Sequence, residues 1–118
     1  MFKEQLQAIV DGSDGGIASL LMDSSGIALE SYSKDDAPFD FNMVGIEFSV
    51  VVNSIKRATE MLEAGVAREV AVNTERMTTI IRMLSSEYFL ALTIKPEGNL
   101  GKARYLMRTA APKILAEL

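Results

Sequence analysis

The sequence predicts an α/β fold in which a central antiparallel five-stranded sheet, with strand order 2-1-5-4-3, carries one long helix on one face and two terminal helices on the other. Three observations lead to this prediction. Hydrophobic periodicity gives the element order helix, two strands, helix, three strands, helix. The breaks between successive strands are so short that only antiparallel hairpins fit. Two strand candidates are almost wholly apolar, which is typical of strands at the centre of a sheet.

The N-terminal half of the chain begins with a short amphipathic helix. Its apolar residues recur at helical spacing, and the glycines of the segment 11–16 end it. Two strands then flank a turn made of Asp23, two serines and Gly26. The predicted elements are a helix over 2–11, strands over 17–22 and 27–32, and a loop over 34–40.

The C-terminal half contains a long helix, three strands and a final helix. Gly65 follows the long helix, and Asn99 has the side chain of an N-cap for the final one. Pro112 lies inside the final helix and should kink it or fray its last turn. The predicted elements are a helix over 41–63, strands over 66–74, 77–84 and 88–94, and a helix starting near Leu100. The buried stripe predicted for the final helix is Ala103, Leu106, Met107, Ala110, Ile114 and Leu118.

The strand order follows from placing the most apolar strands, 17–22 and 88–94, side by side and each hairpin partner outward. The long helix must then connect one edge of the sheet to the other. A helix of that length covers roughly 33 Å, and five strands span about 19 Å. We therefore expect the helix to lie diagonally across one face, and the whole chain, residues 1–118, to form a single domain.

Composition excludes several kinds of function. The chain has no cysteine and no histidine, so thiol nucleophiles, zinc-thiolate sites and a Ser-His base are ruled out. The net charge of −4 argues against nucleic-acid binding, and no apolar stretch reaches the roughly 18 residues of a membrane span. We expect a cytoplasmic, non-enzymatic protein with no cofactor, no metal, no nucleic-acid partner and no membrane insertion.

The long helix carries more apolar residues than one buried face requires. The stripe predicted to face the sheet is Val44, Phe48, Val51, Val52, Ile55, Ala58 and Leu62. Met43, Ile46, Val50 and Met61 lie largely off that stripe. They could be singly exposed apolar residues of the ordinary kind. We prefer a partner surface, because clustered exposed apolar side chains usually mark one.

The third strand is predicted to lie at an edge of the sheet. Its alternation puts Val66, Arg68, Val70 and Val72 on one face and Ala67, Glu69, Ala71 and Asn73 on the other. Its charges could simply protect an exposed edge. Pairing with a second copy across a two-fold axis would instead satisfy the edge and bring two long helices together. We therefore expect an interface formed by this strand and the outer side of the long helix.

A glycine-rich turn, Gly98-Asn99-Leu100-Gly101-Lys102-Ala103-Arg104, joins the last strand to the last helix. It is not a phosphate-binding P-loop, because Pro96 and Ala103 stand where that motif needs glycine and a hydroxyl. Together with the turn Asp23-Ser24-Ser25-Gly26-Ile27 and the long helix, it resembles the roadblock family of dynein-light-chain-like and GTPase-regulating proteins. The resemblance spans nearly all of the chain and is nearest in type to the bacterial MglB-like regulators.

The resemblance implies a homodimer, or a heterodimer with a roadblock paralogue, in which third strands pair and long helices pack. It also implies a regulator or scaffold for a small Ras-like GTPase, in the bacterial branch one that controls cell polarity or motility. The alternative is a purely structural dimerisation module that never contacts a GTPase. A small-molecule sensor is disfavoured, because no convergent set of polar residues suggests a pocket floor.

Few charged residues are candidates for a catalytic or ligand-binding role. Arg57 and Arg76 are conceivable arginine fingers, although solvated surface arginine explains either, and the resemblance does not support a finger. The basic side of the last helix comprises Lys102, Arg104, Arg108 and Lys113. Such a side is usually just a solvated face, and a weak contact with an anion is the disfavoured alternative. The acidic groups Asp11 with Asp14 and Asp35 with Asp36 lack the spacing of a calcium loop and fit turn chemistry.

Overall fold

The computed structural model describes residues 1–35, 37 and 39–118, and the elements in these residues follow the predicted order. Asp36 and Pro38 of the predicted loop lie outside the described residues. The elements are α1 (Phe2–Gly12), β1 (Gly16–Asp23), β2 (Ala28–Ser33), α2 (Phe41–Met61), β3 (Glu69–Asn73), β4 (Thr78–Met83), β5 (Tyr88–Ile94) and α3 (Leu100–Ala116).

The strands form one antiparallel sheet in the order β2-β1-β5-β4-β3, which confirms the predicted topology. β1 and β5 lie at its centre and pair over most of their length, with Leu20 opposite Ala91. All residues of β1 except Asp23 are buried, and so are all residues of β5 except Tyr88. Strands flanked and covered on both sides need continuous apolar sequence, which is why these two were identifiable from sequence.

Helices cover both faces of the sheet. α1 and α3 pack on one face around buried residues such as Leu6, Leu90 and Met107. α2 packs on the other face around Phe41, Val52 and Phe89 among others. A buried hydroxyl in β1 is satisfied between layers, because Ser19 Oγ donates to the Leu6 carbonyl at 3.0 Å. None of the helices in the described part of the chain is long and apolar enough to cross a membrane.

The backbone of α2 approaches β1 and β2 most closely, and the C-terminal half of the helix reaches the β4–β5 turn. The close approach to β1 is at Gly45, where any side chain would overlap the side-chain ends of Leu20 and Met22. The helix therefore sits directly on β1 at its N-terminal half. Toward the other edge of this face the sheet is more open, and Val72 of β3 is 40% exposed.

The tip of the β1–β2 hairpin holds the C-terminal half of α2 in place. Asp23 Oδ1 accepts hydrogen bonds from the Ile27 and Ser25 amides at 3.0 Å, and these bonds lower the pKa of the Asp23 carboxyl. The adjacent Ser24 carbonyl accepts from Asn53 Nδ2 of α2 at 2.9 Å. One turn further along the helix, Lys56 Nζ donates to the Ser86 carbonyl of the β4–β5 turn at 2.7 Å.

The glycine-rich turn before α3 has a structural role. A side chain at Gly98 would overlap the backbone carbonyl of Asp14, so this position requires glycine. Asn99 caps α3 as predicted, with its side-chain oxygen accepting from the Lys102 amide at 3.0 Å. α3 continues past Pro112 to Ala116, and Leu118, predicted to be buried, is instead exposed because it lies beyond the end of the helix.

Candidate protein-protein interface

Four exposed apolar side chains lie on the side of α2 that faces away from the sheet. Met43, Ile46, Val50 and Met61 are 69%, 53%, 56% and 86% exposed. The first three follow each other at spacings of three and four residues, so they lie on one face of the helix. The buried side opposite is formed by Phe41, Gly45, Ser49 and Val52. The structure thus confirms that the four predicted residues are exposed, and their role in binding stays a prediction.

The predicted sheet-facing stripe of α2 was partly wrong. Val52 is buried, and Val44, Phe48 and Ile55 are half-buried as expected. Val51, however, is 41% exposed, and Ala58 and Leu62 are exposed as well. Leu62 follows the last helical residue. Gly45 makes the close contact with β1, Ser49 lies against Gly26 of the β1–β2 turn, and neither residue carries a hydrophobic signal. The buried face is therefore rotated away from Val51.

β3 is shorter than predicted, because Val66 and Arg68 precede it. Glu63 and Gly65 have positive φ angles of 52° and 88°, so the chain is still turning when it leaves α2. Pairing with β4 begins at the Arg68 carbonyl, which accepts from the Met83 amide at 3.0 Å. Within the strand the predicted alternation holds, since Val70 lies opposite Ile81 on the α2 side of the sheet.

A groove of about 310 Å³ lies between the C-terminal half of α2, the segment leading to β3, and the β4–β5 turn. Its lining includes Thr59, Val66 and Met83. Met61, Leu62 and Val66 are among the most exposed apolar residues of the described chain, at 86%, 74% and 90%. Met61 and Val66 were predicted to lie at an interface, whereas Leu62 was assigned to the core, and the groove beside Val66 was not predicted.

The two candidate arginines lie in different places. Arg57 is exposed on the outer half of α2, seven residues after Val50, and its Nη2 donates to Ser54 Oγ at 3.2 Å. Arg76 lies in the β3–β4 turn at the opposite end of the sheet. There it lines a cleft of about 870 Å³ together with Lys34 and Lys95.

Ion pairs occupy part of the predicted basic side of α3. Arg104 Nε donates to both carboxylate oxygens of Glu69 on β3, at 3.2 and 3.0 Å. Lys102 lies 3.9 Å from the Asp14 carboxylate, which leaves Arg108 and Lys113 as the more solvated pair. In residues 1–35, 37 and 39–118 no cluster of three acidic side chains forms a metal site.

The chain is similar to several solved protein structures. No protein-family model and no curated protein matches the sequence. The solved structure of MglC from Myxococcus xanthus is 36% identical to this chain, with a TM-score of 0.70, and the match covers 98% of this chain and 97% of that one. The gliding protein MglB from Thermus thermophilus is 19% identical, with a TM-score of 0.84 and coverage of 98% and 88%. A Roadblock/LC7 domain from Streptomyces avermitilis is 14% identical, with a TM-score of 0.79 and coverage of 96% and 97%. The last two similarities concern the fold.

Proposed function

Because this chain belongs to the roadblock/LC7 family, we propose that it is a non-catalytic, dimeric regulator or scaffold that binds a small Ras-like GTPase. It would modulate the nucleotide state or the location of that GTPase, in the setting of cell polarity or motility. Its partners would be a second copy of itself or a roadblock paralogue, together with the GTPase, and it would need no cofactor.

The outer face of α2 is the observation that carries this proposal. Met43, Ile46 and Val50 line up on a helix whose opposite side is already buried against β1. A helix with one buried face is expected to be polar on the other. Apolar side chains exposed in a row along a rigid element are suited to bury against a partner, and methionine adapts to partner surfaces of different shape.

The proposed regulation uses no inserted arginine. Arg57 is bonded to Ser54 on its own helix and has the features of a solvated side chain. A regulator without a catalytic group can still change GTPase activity by binding one conformation of the switch segments more tightly than the other. The effect on hydrolysis is then limited by the difference between these two affinities.

The test measures binding to a small Ras-like GTPase encoded near this gene, loaded with GDP or with a non-hydrolysable GTP analogue. We expect a complex in at least one nucleotide state. Ile46→Glu should weaken it by roughly 2 kcal/mol, about thirtyfold in Kd, because a charge would be desolvated at the interface. Leu115→Glu is the matched control, since Leu115 is also exposed but lies on α3, on the opposite face of the sheet.

Binding that survives Ile46→Glu would exclude the outer face of α2 as the GTPase site. A chain that forms no complex in either nucleotide state, and leaves hydrolysis unchanged, would exclude GTPase regulation. The open β3 edge would then favour the second candidate function, an assembly subunit that only dimerises.

A further inference from the structure

A cleft of about 870 Å³ lies at the end of the sheet where β1 and β4 begin and β2 and β5 end. Four separate parts of the chain line it, namely the α1–β1 turn, the segment between β2 and α2, the β3–β4 turn, and the segment between β5 and α3. Its described lining includes no residue of α2 and none of the groove beside Val66. Clefts of about 300–1,000 Å³ are typical of sites for small molecules.

The floor of this cleft is apolar. It is formed by Ile17, Phe39 and Met77, which belong to the core on the α2 side of the sheet. Ile17 is 9% exposed, and the other two side chains are half-buried. The Phe39 ring also packs against Phe41, with the ring centroids 5.6 Å apart. A floor held by the core offers a fixed surface to an apolar or aromatic part of a ligand.

The rim of the cleft is charged. Lys34, Arg76 and Lys95 reach it from three different segments, and all three residues are exposed. The ion pairs that form in residues 1–35, 37 and 39–118 involve none of these three cations. Glu75 and Glu97 also lie on the rim, so the cations outnumber the carboxylates there although the whole chain carries a net charge of −4. The cations are therefore available to an anionic ligand.

Hydrogen bonds hold the backbone of the rim in place. The Lys34 amide donates to the Ile17 carbonyl at 3.0 Å, and the Lys95 amide donates to the Gly15 carbonyl at 2.8 Å. The two lysines thus lie on either side of the start of β1. Arg76 lies in the β3–β4 turn, which a further backbone hydrogen bond closes. Binding at a rim built in this way requires little ordering of the backbone, which lowers its entropic cost.

We infer that this cleft binds a small phosphorylated molecule with an apolar or aromatic body, the chemistry of a nucleotide. Arginine and lysine are the side chains that bind phosphate groups, so the phosphates lie at the rim. The body of the ligand lies on the floor beside Phe39. Glu75 and Glu97 can accept hydrogen bonds from its hydroxyl or amino groups. The inference does not depend on GTPase binding, because the cleft is separate from the outer face of α2.

The sequence alone did not suggest this site. Lys34, Arg76 and Lys95 are far apart in the chain, and each follows or precedes a strand in the manner of an ordinary loop residue. The antiparallel order of the sheet brings the three segments to one end. A small-molecule site was disfavoured from sequence because no convergent polar set was visible, and the fold supplies such a set.

Titration calorimetry of the full chain with pyrophosphate, ADP and GDP tests the inference. We expect ADP and GDP to bind with a Kd below about 1 mM, and pyrophosphate to bind more weakly because it lacks the body. Arg76→Gln and Lys95→Gln should each weaken pyrophosphate binding roughly tenfold, because a charged hydrogen bond is lost. Arg57→Gln is the matched control, since Arg57 is an exposed arginine outside the cleft. Glu97→Gln should strengthen pyrophosphate binding, because it removes a like charge from the rim.

The gain expected for Glu97→Gln cannot be produced by a misfolded variant, and melting curves verify that the other variants fold. If none of the three probes binds at millimolar concentration, the inference is overturned. Equal weakening by Arg57→Gln and Arg76→Gln would also overturn it, because binding would then reflect diffuse attraction to surface charge. Pyrophosphate that binds as tightly as ADP and GDP would overturn the role of the apolar floor.

Discussion

Two glycines of the turn before α3 differ in what their surroundings allow. A methyl group at Gly98 would overlap the backbone carbonyl of Asp14, which cannot move without disturbing the start of β1. At Gly101 the nearest atom, Asn99 Oδ1, is 3.4 Å away, an ordinary contact distance. The same substitution at these two positions thus isolates the effect of packing.

We predict that Gly98→Ala lowers the free energy of unfolding by roughly 1–3 kcal/mol through overpacking. Gly101→Ala should leave it unchanged or raise it by about 0.5 kcal/mol, because alanine restricts the unfolded chain. Urea unfolding followed by circular dichroism measures both. Equal stability of the two variants would show that the Asp14 carbonyl does not constrain Gly98.

At the scale of elements, the orientation of α2 decides which of its residues stabilise the fold. Val52→Ala should cost roughly 2 kcal/mol of unfolding free energy, because Val52 is 1% exposed and a cavity would remain. The adjacent Val51→Ala should change it by less than about 0.5 kcal/mol, because Val51 is 41% exposed. Thermal melting of the two variants measures both changes in stability. A larger loss of stability for Val51→Ala than for Val52→Ala would mean that the buried face of the helix is rotated toward Val51.

The sequence predicted elements well where their own residues determine them. β5 was predicted at its observed bounds, Tyr88–Ile94, because a buried central strand is continuously apolar and its turns are tight. The face of α2 could not be placed equally well. Gly45 is buried against β1 and Ser49 against the β1–β2 turn, and hydrophobicity alone gives such small residues no weight.

The start of β3 also depends on tertiary structure. The segment from Val66 to Arg68 has strand-like alternation, but the chain is still turning at Glu63 and Gly65, and its first hydrogen bond to β4 is at the Arg68 carbonyl. The exposure of Met43 and Ile46 was predictable, because it follows from the period of a single helix. The groove beside Val66 was not, because three separate segments form it.

At the scale of the whole molecule, the outer face of α2 and the β3 edge are both left open by the same packing arrangement. The backbone of α2 lies closest to β1 and β2, β3 is an edge strand of the sheet, and Val72 of β3 is 40% exposed. Dimerisation through β3 would therefore place two α2 faces on the same side of one continuous sheet. A GTPase would then meet a composite surface built from both copies.

Proline substitutions at neighbouring positions test whether this edge assembles the molecule. Ala71→Pro removes an outward N–H and leaves the ladder to β4 intact, so we expect a folded monomer, as edge strands tolerate proline where the N–H faces solvent. Val70→Pro removes an N–H that bonds to β4, so it should destabilise the fold itself and leave the chain monomeric or insoluble. Sedimentation and melting curves separate the two effects. If Ala71→Pro stays dimeric with wild-type stability, the copies associate through another surface. The outer face of α2 would then be the candidate dimer interface.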